Sequence, residues 1–196
     1  MPEINERLFD AAERVLAREG PNGLTSRAVT EEAGCAKGIL HNHFADFDNF
    51  LVEFVLDRIR QMVTRLASLR AAAGGGNIVD NLTDAVTVLF GSSAPAIASL
   101  VMSRPSLFDR VRAAAAAAPG SPFAEVEETL AGYLDDEKRL GRIAEDADSK
   151  TLAFTIFGSL HQLFFTQGPD ALDRARVRHV IEALVGGLLL TDAAPG

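Results

Sequence analysis

The sequence predicts an all-α protein of two modules, an N-terminal three-helix domain over residues 1–47 and a larger helical domain over 48–196. Three observations carry that prediction. Apolar residues recur at three- and four-residue steps along most of the chain, which is the spacing of one helix face. Clusters of glycine and proline cut this rhythm into helix-length pieces. Hydrophobic residues make up 47% of the 196, rich in Ala and Leu and without Trp, a composition suited to a helical bundle rather than a β-sandwich.

The first helix is expected over Ile4–Glu19, with Ile4, Leu8, Ala12, Val15 and Leu16 on one face and Phe9 packed beneath the third helix. Gly20, Pro21, Asn22 and Gly23 stop it. Thr25 or Ser26 caps the second helix, because a hydroxyl there accepts an otherwise unpaired backbone N–H. Glu31 and Glu32 stand too late for a capping box. Ala28, Val29 and Ala33 form a small apolar face, and Gly34 supplies the left-handed residue that ends the helix. Cys35 and Ala36 turn the chain into a second short helix, Lys37 to His43, with Ile39, Leu40 and Phe44 among polar residues. Helix, glycine turn and short helix at this spacing is the layout of a DNA-reading helix-turn-helix.

Beyond it, Phe50, Leu51, Phe54, Val55, Ile59, Met62, Val63, Leu66 and Leu69 predict one long helix from Asp46 to Ala73, with Arg58, Arg60, Arg65 and Arg70 on its other faces. Ala71–Gly76 reads as a flexible loop. Asn77 caps a helix over Ile78–Gly91, Pro95 sits in the first turn of the next, and Pro105 opens one over Ser106–Ala118. Pro119–Pro122 is a loop. Phe123 to Leu140 is amphipathic, with Phe123, Val126, Leu130 and Leu134 facing in. The helices Ser149–Gln167 and Arg174–Leu190 are apolar on more than one face, so each needs a second cover. A partner copy supplies it, and Gly158, Ala183, Gly186 and Gly187 permit close approach.

The N-terminal segments AAERVLAREG, GLTSRAVTEEAG and KGILHNHF, followed by a long helix, resemble the TetR/AcrR family of transcriptional regulators. Ala11–Ala12, Leu16, Glu19–Gly20, Leu24–Thr25, Arg27, Ala33–Gly34, Lys37–Gly38, Leu40, His43–Phe44 and Leu51 carry the resemblance, which spans about a quarter of the chain. It implies a ligand-responsive repressor: a homodimer through the last two helices that binds a near-palindromic double-stranded operator and is released by a small-molecule effector. The fourth helix then links reading head to ligand domain. By the same resemblance Thr25, Ser26, Arg27, Lys37, Gly38, Ile39, His41, Asn42 and His43 face DNA. Arg27, Thr25 and His41 would position the backbone, while Lys37, Ile39 and Asn42 reach base edges. Three positions depart from the family pattern. Ala36 replaces a capping hydroxyl, His41 a phosphate-touching tyrosine and Phe47 a lysine, and each change removes or softens a phosphate contact.

Effector contacts are expected among Phe90, Met102, Phe108, Tyr133, Phe154, Phe157 and His161, an apolar set with few polar anchors. Each of these residues also has a simpler reading as core. Residues 1–50 hold five basic side chains against nine acidic ones, a net charge of −4. The whole chain carries −8. Since Lys and Arg supply most phosphate affinity, the alternative is a dimeric small-molecule-binding protein that has lost DNA binding. Cys35, His41 and His43 do not form a metal site, because two helical residues two apart diverge by roughly 200°, and no cofactor is expected. No GxSxG, HExxH or phosphate-cradling glycine loop points to an enzyme. One cysteine excludes an internal disulfide, the start lacks a signal pattern, and Glu182 interrupts the most apolar run. A soluble cytoplasmic protein away from the membrane is therefore expected.

Overall fold

The computed structural model describes residues 2–91, 93–117 and 122–190. It is 81% helical. Among the described residues no strand forms, and only Ile143 and Leu189 make an isolated antiparallel bridge. The helices are α1 Pro2–Gly23, α2 Ser26–Glu32, α3 Ile39–His43, α4 Phe47–Leu66, α5 Ser68–Ala71, α6 Ile78–Leu89, α7 Ala94–Ser103, α8 Pro105–Ala117, α9 Pro122–Arg139, α10 Ser149–Gln167 and α11 Arg174–Val185. They form two compact units, residues 1–60 with 92–119 and residues 61–91 with 120–196. The first thus takes in α7 and α8, whereas the sequence reading placed everything after residue 47 in one domain. The difference has a physical cause in side chains of α7 and α8 that bond to the head, described below.

In the first unit Leu8, Ala11, Ala12 and Val15 of α1 are fully buried with Leu24, Val29, Phe50, Leu51, Phe54 and Val55. The Phe9 ring lies 6.0 Å from Phe44, 5.6 Å from Phe50 and 6.1 Å from Phe54, so the residue expected beneath the third helix anchors that corner. Truncating such a ring costs about 3–5 kcal/mol. Gly20 breaks α1 at φ 70°, where the stop signal was expected, and Pro21–Gly23 form a further turn. Asp46 caps α4, its Oδ1 accepting the Asn49 amide at 2.6 Å.

Several expectations are corrected. The long helix does not run on to Ala73, because Ala67 bonds back to Thr64 at 3.2 Å and the Ser68 hydroxyl donates to the Arg65 carbonyl at 3.0 Å, breaking the ladder between α4 and α5. The last helix stops at Val185 rather than Leu190. There Gly186–Leu188 tighten into a 3₁₀ turn, and the Leu190 amide donates to the Arg142 carbonyl at 3.0 Å. Phe123, expected to face in, is exposed, while Val126, Leu130 and Leu134 are buried as expected. Arg58, assigned to an outer face, is 5% exposed and donates to Asp10 and Glu13, each at 2.9 Å. Ala118 and the loop residues Pro119, Gly120 and Ser121 lie outside the described residues.

In the second unit α6 packs on α11, and α9 packs on α5 and α10. Asn77 caps α6 by accepting the Asp80 amide at 3.2 Å, and Asp148 caps α10 by accepting the Lys150 and Thr151 amides at 3.1 Å. These bonds, led by that from the Thr151 hydroxyl, hold the Asp148 carboxyl below its ordinary range. The loop through Gly74–Gly76, expected to be free, is tied by side chains. Asn81 Nδ2 donates to the Gly75 carbonyl at 2.8 Å, the Gly74 amide donates to Glu137 at 3.2 Å, and Arg142 donates to the Gly76 carbonyl. Glu137, the last of three consecutive acids, is fully buried beside Arg142.

Candidate nucleic-acid interface

The head is built around the turn joining α2 to α3. Thr25 is extended at φ −123° and its Oγ1 accepts the Ala28 amide at 3.1 Å, so of the two candidate caps the threonine serves. Gly34 takes φ 63°, a left-handed conformation that glycine adopts without strain. Around it the Gly34 amide donates to Glu31 at 3.1 Å and the Cys35 amide to Thr30 at 2.9 Å. Arg7 of α1 reaches the same turn, donating to the Ala33 carbonyl at 3.1 Å. Its guanidinium also lies 3.9 Å from Cys35 Sγ, and Cys35 is half-buried.

The reading helix is shorter than expected. It begins at Ile39 rather than Lys37, because the Gly38 N-cap offers no side-chain acceptor and Ala36 cannot supply one. Lys37 and Gly38 therefore stand in the turn just ahead of it. Leu40 and Phe44 point into the core, at 2% and 4% exposure. Of the nine residues expected to face DNA, Thr25, Arg27, Lys37, Gly38, His41 and Asn42 are exposed, and Ser26, Ile39 and His43 are partly covered. The His43 ring lies 6.5 Å from Phe44.

The charges of the head are largely committed. Arg14 and Arg18 both donate to Glu32, at 2.7 and 3.0 Å, and hold its carboxyl below the ordinary carboxylate range. Arg27 pairs with Glu31 at 2.7 Å on the exposed surface of α2. Such exposed pairs are worth at most about 1 kcal/mol, so a phosphate can draw Arg27 away from Glu31 at little cost. Lys37 makes no ion pair among the described residues. Five of the head's nine acids sit on α1 and Glu32 of α2 faces Arg14 and Arg18, while Glu31 stands beside Arg27.

The expected effector residues are only partly gathered. Phe90 lies 6.3 Å from Phe157 and 5.3 Å from Phe164, and Phe157 lies 5.5 Å from His161. Phe123 and Phe165 complete this cluster, at 6.2 and 4.4 Å from His161. Neither was singled out from sequence, although Phe165 follows His161 by one helical turn. The other candidates fall elsewhere. Met102 and Phe108 belong to the first unit and are 60% and 50% exposed, and Phe154 is 63% exposed. Tyr133 is sealed in the core, where its hydroxyl accepts from Asn81 at 3.0 Å and burial pushes the phenol well above its ordinary value. Burial also lowers the His161 pKa from its ordinary 6.5. Phe154, Phe157, Gly158, His161 and Phe165 recur at three- and four-residue steps, so they share one face of α10. Separate from that face, an open groove of about 390 Å³ is lined by Val63, Ala67, Arg70, Glu125 and Glu128.

An all-α chain with a capped, glycine-turned helix-turn-helix at its N-terminus has the layout of a DNA-reading head. Residues 8–53 match the model of the bacterial regulatory proteins of the tetR family. No curated protein matches it significantly. Among solved structures, a protein of Mesorhizobium loti assigned to the TetR family has a TM-score of 0.71 at 18% identity, covering 95% of each chain. A transcriptional regulator from Rhodococcus sp. Rha1 has a TM-score of 0.64 at 19% identity, over 97% of this chain and 99% of that one. SmeT, the repressor of the Stenotrophomonas maltophilia multidrug efflux pump SmeDEF, has 0.57 at 19% identity, over 98% and 94%. Likeness at this identity concerns the fold. No single helix among the described residues is long and apolar enough to cross a membrane.

Proposed function

We propose that the protein is a homodimeric repressor that reads a near-palindromic operator through Lys37, Gly38, Ile39, His41 and Asn42, supported by Thr25, Ser26, Arg27 and His43. The observation that carries this reading is the exposed edge formed by Lys37, Gly38, His41 and Asn42 beside a buried Leu40. An unpaired cation and an amide stand where a major-groove helix presents its first residues. Two copies would join through α10 and α11, with the Phe154–Phe157–His161–Phe165 face of α10 meeting its counterpart. A small-molecule effector would rest on the inward corner formed by Phe90, Phe157 and Phe164, and it would release DNA by favouring the dimer form that no longer fits the two half-sites. SmeT, the repressor of a multidrug efflux pump, shares the fold and lends the repressor reading support.

The test is selection of random duplex DNA by the purified protein at low and at near-physiological salt. Enrichment of an inverted repeat is expected. If a folded dimer enriched nothing at either salt, the DNA-binding reading would fail and a ligand-binding protein without DNA binding would replace it.

A further inference from the structure

Arg104 stands at the corner between α7 and α8, inside the compact unit that contains the head. Its backbone is fixed twice over. The next residue is Pro105, which confines Arg104 to an extended conformation (φ −133°, ψ 88°). Its carbonyl also accepts the Leu107 and Phe108 amides, at 2.9 and 3.1 Å, and so opens α8. From this anchored base the guanidinium Nη2 donates to the carbonyls of Pro21 at 3.3 Å and Leu24 at 3.1 Å. Both carbonyls belong to the connection between Gly20, where α1 breaks, and Thr25, which caps α2. The Leu24 carbonyl and the Thr25 amide are one peptide group, and the Thr25 carbonyl and hydroxyl accept the Val29 and Ala28 amides at 3.0 and 3.1 Å. A charged donor thus holds the peptide from which α2 starts.

The same two helices touch the head at two further places. Ser93, just ahead of α7, donates to Glu13 of α1, which also receives Arg58. Arg110 of α8 donates to Asn49 and lies 3.5 Å from Asp48, beside the Asp46 cap that opens α4 after the reading helix. The helix-turn-helix is therefore held from outside at its entry, by Arg104, and at its exit, by Arg110.

We infer that Arg104 is a positioning residue for DNA reading: it sets the pose of the α2 N-terminus, and through it Thr25, Ser26 and Arg27, without touching DNA itself. The inference rests on the DNA-binding reading above. The experiment compares the full-length dimer with Arg104→Ala and Arg104→Lys on the operator duplex selected by the unaltered protein, at several salt concentrations. Asp148→Ala, which removes the α10 cap in the other unit, serves as a control for general destabilisation.

Arg104→Ala is expected to lose about tenfold in operator affinity, the scale of one charged hydrogen bond, with the salt slope unchanged. Arg104→Lys, which keeps a charged donor, should recover most of the loss. Hydrogen exchange at the Ala28 and Val29 amides should quicken in Arg104→Ala. Affinity within twofold of the unaltered protein overturns the proposal, as does an equal loss in Asp148→Ala or in Arg104→Lys. A salt slope lowered by about one also overturns it, since Arg104 would then be a phosphate contact. If the unaltered protein selects no DNA, the functional reading falls first. The exchange rates then bear on the contact alone: faster exchange at Ala28 and Val29 shows that Arg104 holds the α2 N-terminus, while its role in DNA reading falls with that reading.

Discussion

Glu137 keeps a carboxylate in the interior of its unit with Arg142 3.1 Å away and the Gly74 amide as a further donor. Removing one partner of a buried pair leaves the other charge uncompensated, at a cost of about 3–5 kcal/mol. Glu137→Ala should therefore lower the urea midpoint strongly. Asp135→Ala, two residues earlier and half-exposed, should move it by no more than about 0.5 kcal/mol. Equal effects in the two variants would show that Glu137 is not the latch of the Gly74–Gly76 loop. At the reading edge, Lys37→Ala combined with Asn42→Ala should abolish operator binding in gel shift while leaving the dimer intact by sedimentation. Loss of the dimer as well would contradict the division of labour proposed between head and α10–α11.

At the scale of elements, Gly38 sits at the N-cap of α3 at φ −79°, with nothing within 4 Å of an added Cβ. Gly38→Ala should thus be neutral or stabilise the fold by up to about 1 kcal/mol. It should nevertheless weaken operator binding, because the methyl would stand between backbone and groove. Unchanged DNA affinity would place Gly38 away from the duplex. On α10, the imidazole of His161 sits half-buried among Phe157, Phe123 and Phe165, and burial depresses its pKa from 6.5. Above pH 6.5 the ring is neutral both folded and unfolded, so it imposes no penalty. Below that value the unfolded chain takes up a proton that the folded chain resists, and stability falls until the folded ring protonates as well. Denaturant midpoints should decline from pH 7 towards pH 5, and His161→Phe should flatten that part of the curve. A decline of the same size in the variant would assign it to other groups.

For the whole molecule, the open question is what covers α10. Ala153, Ile156, Leu160 and Phe164 are buried within the chain, while Phe154 and Phe165 remain exposed on the opposite side. On the proposed reading these two aromatics belong to the surface that meets the partner copy. On the proposed reading, Phe154→Glu should convert the dimer to monomer, as measured by sedimentation, and should lower operator affinity in step, since two heads would then no longer be paired for both half-sites. A dimer that survives Phe154→Glu would move the interface off this face.

What the sequence determined by itself was the order and kind of the helices and the identity of the head. Those depend on local chemistry: Thr25 capping its own helix, Gly34 taking φ 63°, Asn77 and Asp148 accepting nearby amides. A short-range rule needs only neighbours in the chain, so Ser149–Gln167 was legible to the residue. Tertiary structure decided the rest. Arg58 and Glu137 look like surface charges in any helical pattern, and only partners 45 residues or more away in the one case, and a folded loop in the other, make their burial tolerable. Arg104 belongs to the same kind. Its carbonyl partners lie 80 and 83 residues upstream, and no local spacing announces them. The effector candidates scattered for a related reason, since hydrophobicity says that Met102, Phe108 and Phe154 prefer cover but not which surface provides it.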